Sequence, residues 1–135
     1  MILYAVLQFL INNNYKFRIM NPKKWNTIST ENEVLDIIER SDVKPQIIFK
    51  DSVSCGISAF AKERLTNDYG LIENIADFNY LDLLSHRAIS NFIAAQLEVT
   101  HQSPQIIVLI DGKVIFRDSH HSIEAKKIAE KISNF

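Results

Sequence analysis

The sequence contains few of the residues that crosslink a chain or interrupt its helices and strands: one cysteine, three glycines and three prolines in 135 residues. A single cysteine, Cys55, excludes a disulfide within the chain and a zinc site built from the cysteines of one chain. This usage is typical of a reduced, cytoplasmic protein. Because glycine and proline are so scarce, each is expected to mark a particular backbone requirement.

Charge of either sign is also not in excess, since 15 lysines and arginines face 16 acidic residues. A nucleic-acid-binding protein usually shows a basic stripe, so we expect no nucleic-acid partner. Hydrophobic residues make up 47% of the chain and charged residues 23%, which is close to the average for a folded domain. The length suits one domain with a real core.

The chain lacks a hydrophobic run long enough for a membrane span. Residues 1–11 are apolar except for Gln8, but a helix needs about 20 such residues to cross a bilayer. A basic region and a small-residue cleavage site, which would mark a secretory signal, are missing. We expect no membrane contact. Residues 1–19 are either an extension upstream of a start at Met20 or an additional N-terminal element, and residues 20–135 form the domain.

Strand and helix patterns alternate along the chain. The predicted strands span residues 25–28, 46–50, 78–83, 105–110 and 113–118, and the predicted helices follow caps at Thr30, Ser54, Ser85 and Ser122. This order predicts an α/β fold whose mixed sheet has a parallel core and helices on both faces. A two-residue turn at Asp111-Gly112 predicts a C-terminal antiparallel hairpin. Five aromatic residues are predicted to lie in the core: Phe49, Phe60, Phe78, Phe92 and Phe116.

Cys55 follows a core strand and falls at the predicted start of a helix, directly after the cap Ser54. Free N–H groups and a partial positive charge at a helix start favour the thiolate, which is the reactive form. Gly56 leaves room beside the sulfur for another thiol or disulfide. The alternative is that Cys55 is a small buried hydrophobic residue.

Pro104 precedes a predicted core strand, where proline is tolerated at the first position or in a special turn. A cis Ser103-Pro104 bond would bend the chain toward the sheet edge at which Cys55 is expected. A trans bond is the commoner form, and the sequence leaves the choice open.

These residues carry a resemblance to a known family. A strand, a cysteine at the next helix start, a Ser-Pro before a strand pair and a closing helix resemble the thioredoxin fold, a three-layer arrangement. Residues 55–58 (CGIS) are similar to the C-G-F-S motif of monothiol glutaredoxins. The segments 48–50 (IFK), 80–83 (YLDL), 87–91 (RAISN) and 101–105 (HQSPQ) resemble the YtxJ-like family of bacillithiol-system proteins, the monothiol bacilliredoxins. The similarity covers about residues 24–135.

The resemblance implies thiol–disulfide exchange with bacillithiol as co-substrate and with no bound cofactor or metal. Cys55 would take bacillithiol from S-bacillithiolated proteins, and the resolving thiol would come from outside because Ser58 replaces a second cysteine. The start of the last helix, with its histidines, would bind the malate carboxylates of bacillithiol. The residues expected to contact substrate are Ser54, Gly56, Ile57, His101, Ser103, Pro104, His120, His121 and Ser122.

One departure from the family bears on activation of the sulfur. The family's loop before the cysteine often carries His or Arg, whereas this sequence reads Asp51-Ser52-Val53. An acid near the sulfur would oppose thiolate formation.

Two other functions stay open at this point. A carrier of a [2Fe–2S] cluster, held between two Cys55 thiolates and two external thiols, would require a dimer and give a brown protein. A thioredoxin-like interaction module with an inert cysteine predicts that Cys55 is alkylated no faster than a free thiol.

Overall fold

A computed structural model of the chain describes residues 25–52 and 56–135. The strands are β1 (Trp25–Thr27), β2 (Gln46–Asp51), β3 (Asp77–Asp82), β4 (Gln105–Ile110) and β5 (Lys113–Ser119). The helices are α1 (Glu31–Arg40), α2 (Gly56–Asn67), α3 (Arg87–Leu97) and α4 (Ala125–Ser133), with short 3-10 helices at Tyr69–Leu71 and His120–Ser122. The predictions for residues 1–24, Ser54 and Cys55 fall outside the described residues.

The strands form one mixed sheet in the order β1-β3-β2-β4-β5. Strands β1 and β2 both run parallel to β3, while β4 is antiparallel to β2 and to β5. The predicted α/β class, with its parallel core and C-terminal antiparallel hairpin, is therefore confirmed. No helix in the described ranges is long and apolar enough to cross a membrane.

Each face of the sheet packs against its own pair of helices. Helices α2 and α4 cover the face that carries Ile47 and Phe49, and α1 and α3 cover the face that carries Ile48. All three side chains are fully buried. Because successive side chains of a strand point to opposite faces, the last two residues of β2, Lys50 and Asp51, are directed to different faces.

The hairpin turn and the first helix cap form where the sequence predicts them. Asp111 and Gly112 have positive φ angles of 53° and 72°, as a two-residue hairpin turn requires. Ser41 anchors this turn, because its Oγ accepts from the N–H of Gly112 at 2.8 Å. At the start of α1, the Thr30 Oγ1 accepts from the N–H of Glu33 at 3.2 Å.

Two helix starts differ from the predictions. Helix α3 is preceded by His86 rather than capped by Ser85, because the hydroxyl of Ser85 donates to the carboxylate of Asp82. Helix α4 begins at Ala125, and Ser122, the predicted cap, lies in the preceding 3-10 helix.

The core prediction for Phe60 is wrong, since this side chain is 63% exposed. Helix α2 buries Ser58, Ala61 and Leu65, and Phe60 lies outside that stripe. The buried positions of Phe49 and Phe78 are confirmed, while Phe92 and Phe116 are half-buried.

Candidate active site

The end of β2 and the start of α2 flank Cys55 on both sides. Helix α2 begins at Gly56, the next residue after Cys55 in the sequence. The Oγ of Ser58, which is fully buried, accepts from the N–H of Ser52 at 3.1 Å. Ser58, which stands where a second cysteine would, therefore ties the first turn of α2 to the end of β2. Gly56 is exposed, and a Cβ placed there would meet no atom within 4 Å outside its chain neighbours.

The loop before β4 contains the cis peptide bond Ser103-Pro104. The buried side chain of Gln105 holds this loop, because its amide donates to the carbonyl of Thr100 at 3.0 Å and accepts from the N–H of Gln102 at 3.3 Å. Gln105 also pairs with Lys50 across β2 and β4. The cis-proline loop therefore lies beside the end of the strand that leads to Cys55.

Lys50 is a fully buried lysine at that strand end. Its Nζ donates to the backbone carbonyl of Ser90 at 3.1 Å and lies 3.4 Å from Nδ1 of His101. The Ser90 hydroxyl lies 3.2 Å from the same Nδ1. Burial lowers the pKa of Lys50 to about 8. The pKa of His101 is also lowered, first by burial and then by the positive charges of Lys50 and Arg87.

Asp51 enters the opposite face and is likewise buried. Its Oδ2 accepts a short hydrogen bond from the hydroxyl of Tyr80 and lies 3.8 Å from Nζ of Lys62. Burial, together with the hydrogen bond and charge of Asp51, raises the pKa of Tyr80. Asp51 is the last residue of β2 rather than part of a loop. These two partners compensate its charge in part, since its Oδ1 is buried and makes no hydrogen bond to the described residues.

The segment that follows β5 packs directly on the cis-proline loop. The N–H of His120 donates to the carbonyl of Pro104 at 3.1 Å, and His120 has a positive φ of 57°. Arg64 of α2 donates to the carbonyls of His120, His121 and Ile123 at 3.2–3.5 Å. His121 and Ser122 are exposed. One arginine therefore fastens this segment to the helix that begins after Cys55.

A polar groove of about 280 Å³ is lined by residues of the cis-proline loop and of the end of β5. The residues that line it are Thr100, Gln102, Gln105, Arg117, Asp118 and Ser119. The lining offers hydroxyl, amide, guanidinium and carboxylate groups, so the groove is polar and carries charges of both signs.

The structure brings several of the predicted site residues together. Pro104 and His120 are in contact through the backbone, and His101 and Ser103 belong to the same loop. The Oγ of Ser103 is buried and makes no hydrogen bond to the described residues. Cys55 and Ser54 lie outside those residues, so their roles remain predictions.

The side chains that support these loops are not among the residues predicted to form the site. They are Ser90, which reaches His101; Arg64, which fastens the His120 segment; and Gln105, which shapes the cis-proline loop. Lys50 offers a direct signal, because a lysine inside a short apolar strand is unusual. Ser90 and Gln105 lie within the family-like segments 87–91 and 101–105, which do not reveal their contacts, and Arg64 gives no signal.

Comparison with solved structures defines the class of protein. A protein described as a candidate oxidoreductase with a thioredoxin fold matches with a TM-score of 0.68 and 27% identity, over 78% of this chain and 91% of its own. Thioredoxin from Fasciola hepatica gives 0.61 at 18% identity, over 81% and 97% of the two chains. Mitochondrial thioredoxin 3 from Saccharomyces cerevisiae gives 0.63 at 18% identity, over 84% and 98%. The chain has the thioredoxin fold.

The sequence profile of one family, the monothiol bacilliredoxin BrxC, matches residues 26–128. This range includes Cys55 and the cis-proline loop and covers most of the chain. The chain therefore belongs to the monothiol bacilliredoxin BrxC family, which confirms the resemblance seen in the sequence. Family and fold together support a thiol redox role.

Proposed function

We propose that this protein is a monothiol oxidoreductase that removes bacillithiol from protein mixed disulfides through Cys55. The observation that carries the proposal is the family match over residues 26–128, within which Cys55 is the single cysteine of the chain. The partners are S-bacillithiolated proteins and free bacillithiol, and the reaction uses no bound cofactor.

The exchange takes place in two balanced steps. The Cys55 thiolate attacks the bacillithiol sulfur of the mixed disulfide, forming a Cys55–bacillithiol disulfide, and the client protein leaves as a thiolate that takes a proton from water. The thiolate of a second bacillithiol then attacks the bacillithiol sulfur bound to Cys55. This step releases bacillithiol disulfide and restores the Cys55 thiolate.

Two features of the described residues support this chemistry. Helix α2 starts immediately after Cys55, and the partial positive charge of a helix start favours a thiolate. The buried carboxylate of Asp51 is engaged by Tyr80 and Lys62 on one face of the sheet. Its negative charge is therefore partly compensated, which weakens the objection that an acid precedes the cysteine.

The ligand would bind against the surface that the cis-proline loop and the segment after β5 form together. We propose that Ser103, Pro104 and Ile57 flank the disulfide and that His120, His121 and Ser122 approach the malate carboxylates. The side chains of His121 and Ser122 are exposed in that segment and can donate hydrogen bonds to a carboxylate.

The rate of Cys55 alkylation as a function of pH tests the activation of the sulfur. We expect a midpoint well below 8.5, the ordinary thiol value. A midpoint at or above that value would favour the interaction module with an inert cysteine.

Release of bacillithiol from an S-bacillithiolated test protein, in the presence of free bacillithiol, tests the reaction. We expect Cys55→Ser to reduce release to the uncatalysed rate, because no other thiol is available in the chain. The same test protein carrying glutathione measures specificity, and equal rates for both adducts would contradict the bacillithiol assignment. An iron-containing brown protein from anaerobic purification would instead favour the cluster carrier.

A further inference from the structure

We propose that Lys50 is a positioning residue, which fixes the imidazole of His101 so that its Nε2–H points outward from the cis-proline loop as a hydrogen-bond donor to the bound bacillithiol adduct. This inference rests on the proposed function for the identity of the ligand. The arrangement of the three side chains involved is independent of it.

The tautomer follows from the donors that surround Nδ1 of His101. A protonated lysine has three donors and no acceptor, so a hydrogen bond between the Nζ of Lys50 and Nδ1, 3.4 Å apart, forms only if Nδ1 carries its lone pair. The Ser90 hydroxyl at 3.2 Å can donate to the same lone pair. In a neutral imidazole the proton must then be on Nε2.

The imidazole also stays neutral near pH 7. The charged groups that face it within the described residues are Lys50 from β2 and Arg87 from α3, and both are cations. Together with burial, they hold the pKa of His101 below its ordinary value. Lys50 itself, with a pKa of about 8, is mostly protonated at pH 7 and keeps its role as a donor.

The location of His101 gives this donor a target. His101 keeps an exposed surface, while its Nδ1 side packs on Lys50 and Ser90 and is partly desolvated. It lies three positions before the cis-proline residue, Pro104, in the loop beside the end of β2. Its Nδ1 is engaged on the protein side by Lys50 and Ser90, so Nε2 is the ring nitrogen left for a ligand. A neutral N–H can donate to a hydroxyl, amide or carboxylate oxygen, and bacillithiol carries oxygens of all three kinds.

The first experiment reads the tautomer of His101 by ¹⁵N NMR in the full-length wild-type protein between pH 5.5 and 8. We expect the Nε2–H form, with a protonation midpoint below 6.5. Observation of the Nδ1–H form would overturn the proposal without the use of any variant. Because this measurement needs no substrate, it is independent of the proposed function.

The second experiment compares Lys50→Met, Lys50→Arg and the control Lys44→Met, whose lysine forms a surface ion pair with Asp77. In Lys50→Met, we expect the protonation midpoint of His101 to rise and the preference for the Nε2–H tautomer to disappear. We also expect kcat/KM for bacillithiol release to fall about tenfold, the effect of one hydrogen bond. Lys50→Arg restores the tautomer, and Lys44→Met changes neither readout. If the tautomer and the protonation midpoint of His101 are unchanged in a folded Lys50→Met protein, the proposal is overturned.

A double-mutant cycle separates positioning from a direct role of Lys50. If Lys50 acts through the imidazole, Lys50→Met lowers the rate of the His101→Ala protein no further. Additive losses would overturn the proposal. If the wild-type protein shows the expected tautomer but no release of bacillithiol, the proposed function fails while the tautomer assignment stands.

Discussion

Two neighbouring residues at the end of β2 bury opposite charges on opposite faces of one sheet. Lys50 contacts neutral acceptors, the carbonyl of Ser90 and the imidazole of His101. Asp51 on the other face receives the Tyr80 hydroxyl and lies near the Lys62 ammonium. Burial lowers the pKa of a cation that has no counter-ion nearby, whereas a buried anion raises the pKa of a hydroxyl that donates to it. The charge of Lys50, whose pKa is lowered to about 8, can therefore change near neutral pH.

The largest change in unfolding free energy is expected from Tyr80→Phe, on the Asp51 face of the sheet. This change removes a donor from a buried carboxylate, which costs about 1–3 kcal/mol of unfolding free energy. Urea unfolding at pH 7 measures it. The control Tyr69→Phe removes a hydroxyl from the same aromatic cluster without touching Asp51, and an equal loss in both variants would show that the Asp51 contact is not the cause.

The pH dependence of the unfolding free energy tests the burial of Lys50 on its face of the sheet. Because burial lowers the pKa of Lys50 from 10.5 to about 8, the unfolded chain binds more protons between these values. The unfolding free energy attributable to Lys50 therefore rises with pH from about 8 to about 10.5, by at most about 1.4 kcal/mol per pH unit.

Urea unfolding at pH 7.5, 8.5 and 9.5 checks this expectation, because that range ends before tyrosines titrate. The rise contributed by Lys50 is expected to be absent in Lys50→Met. Parallel profiles for the two proteins would show that the lysine is not desolvated in the folded state.

The smallest effect is expected from Lys62→Met. The Lys62 side chain is 33% exposed and 3.8 Å from Asp51, so its ion pair is partly screened and worth less than about 1 kcal/mol. Its ammonium also lies 4.9 Å from the centre of the Tyr80 ring. Unfolding at low and high salt measures the pair, and the loss should shrink as salt increases. A loss as large as that of Tyr80→Phe would make Lys62 the main partner of Asp51.

The sequence allowed the fold to be predicted more completely than the supports of the site. Element order, the Thr30 cap and the Asp111-Gly112 turn depend on local patterns, so they could be predicted from local residues. The family-level function followed from the segments around Cys55 and Pro104.

The errors and omissions arise where distant contacts decide the outcome. The predicted start of α4 is too early because Ser122 resembles a cap, whereas the chain there forms a 3-10 helix. Arg64 donates to the carbonyl of His121 in that segment. Phe60 is apolar but lies away from the buried stripe of α2. The Lys50–His101 contact joins residues 51 positions apart, and no local pattern encodes such a pairing.

The ends of the sheet bear on self-association. Within the described residues, β1 has three residues and β5 carries Lys113, Arg117 and Asp118. A short strand and a charged strand are both poor templates for edge-to-edge pairing with a second copy. Within the described residues, neither edge of the sheet therefore offers a long apolar strand for pairing with a second copy.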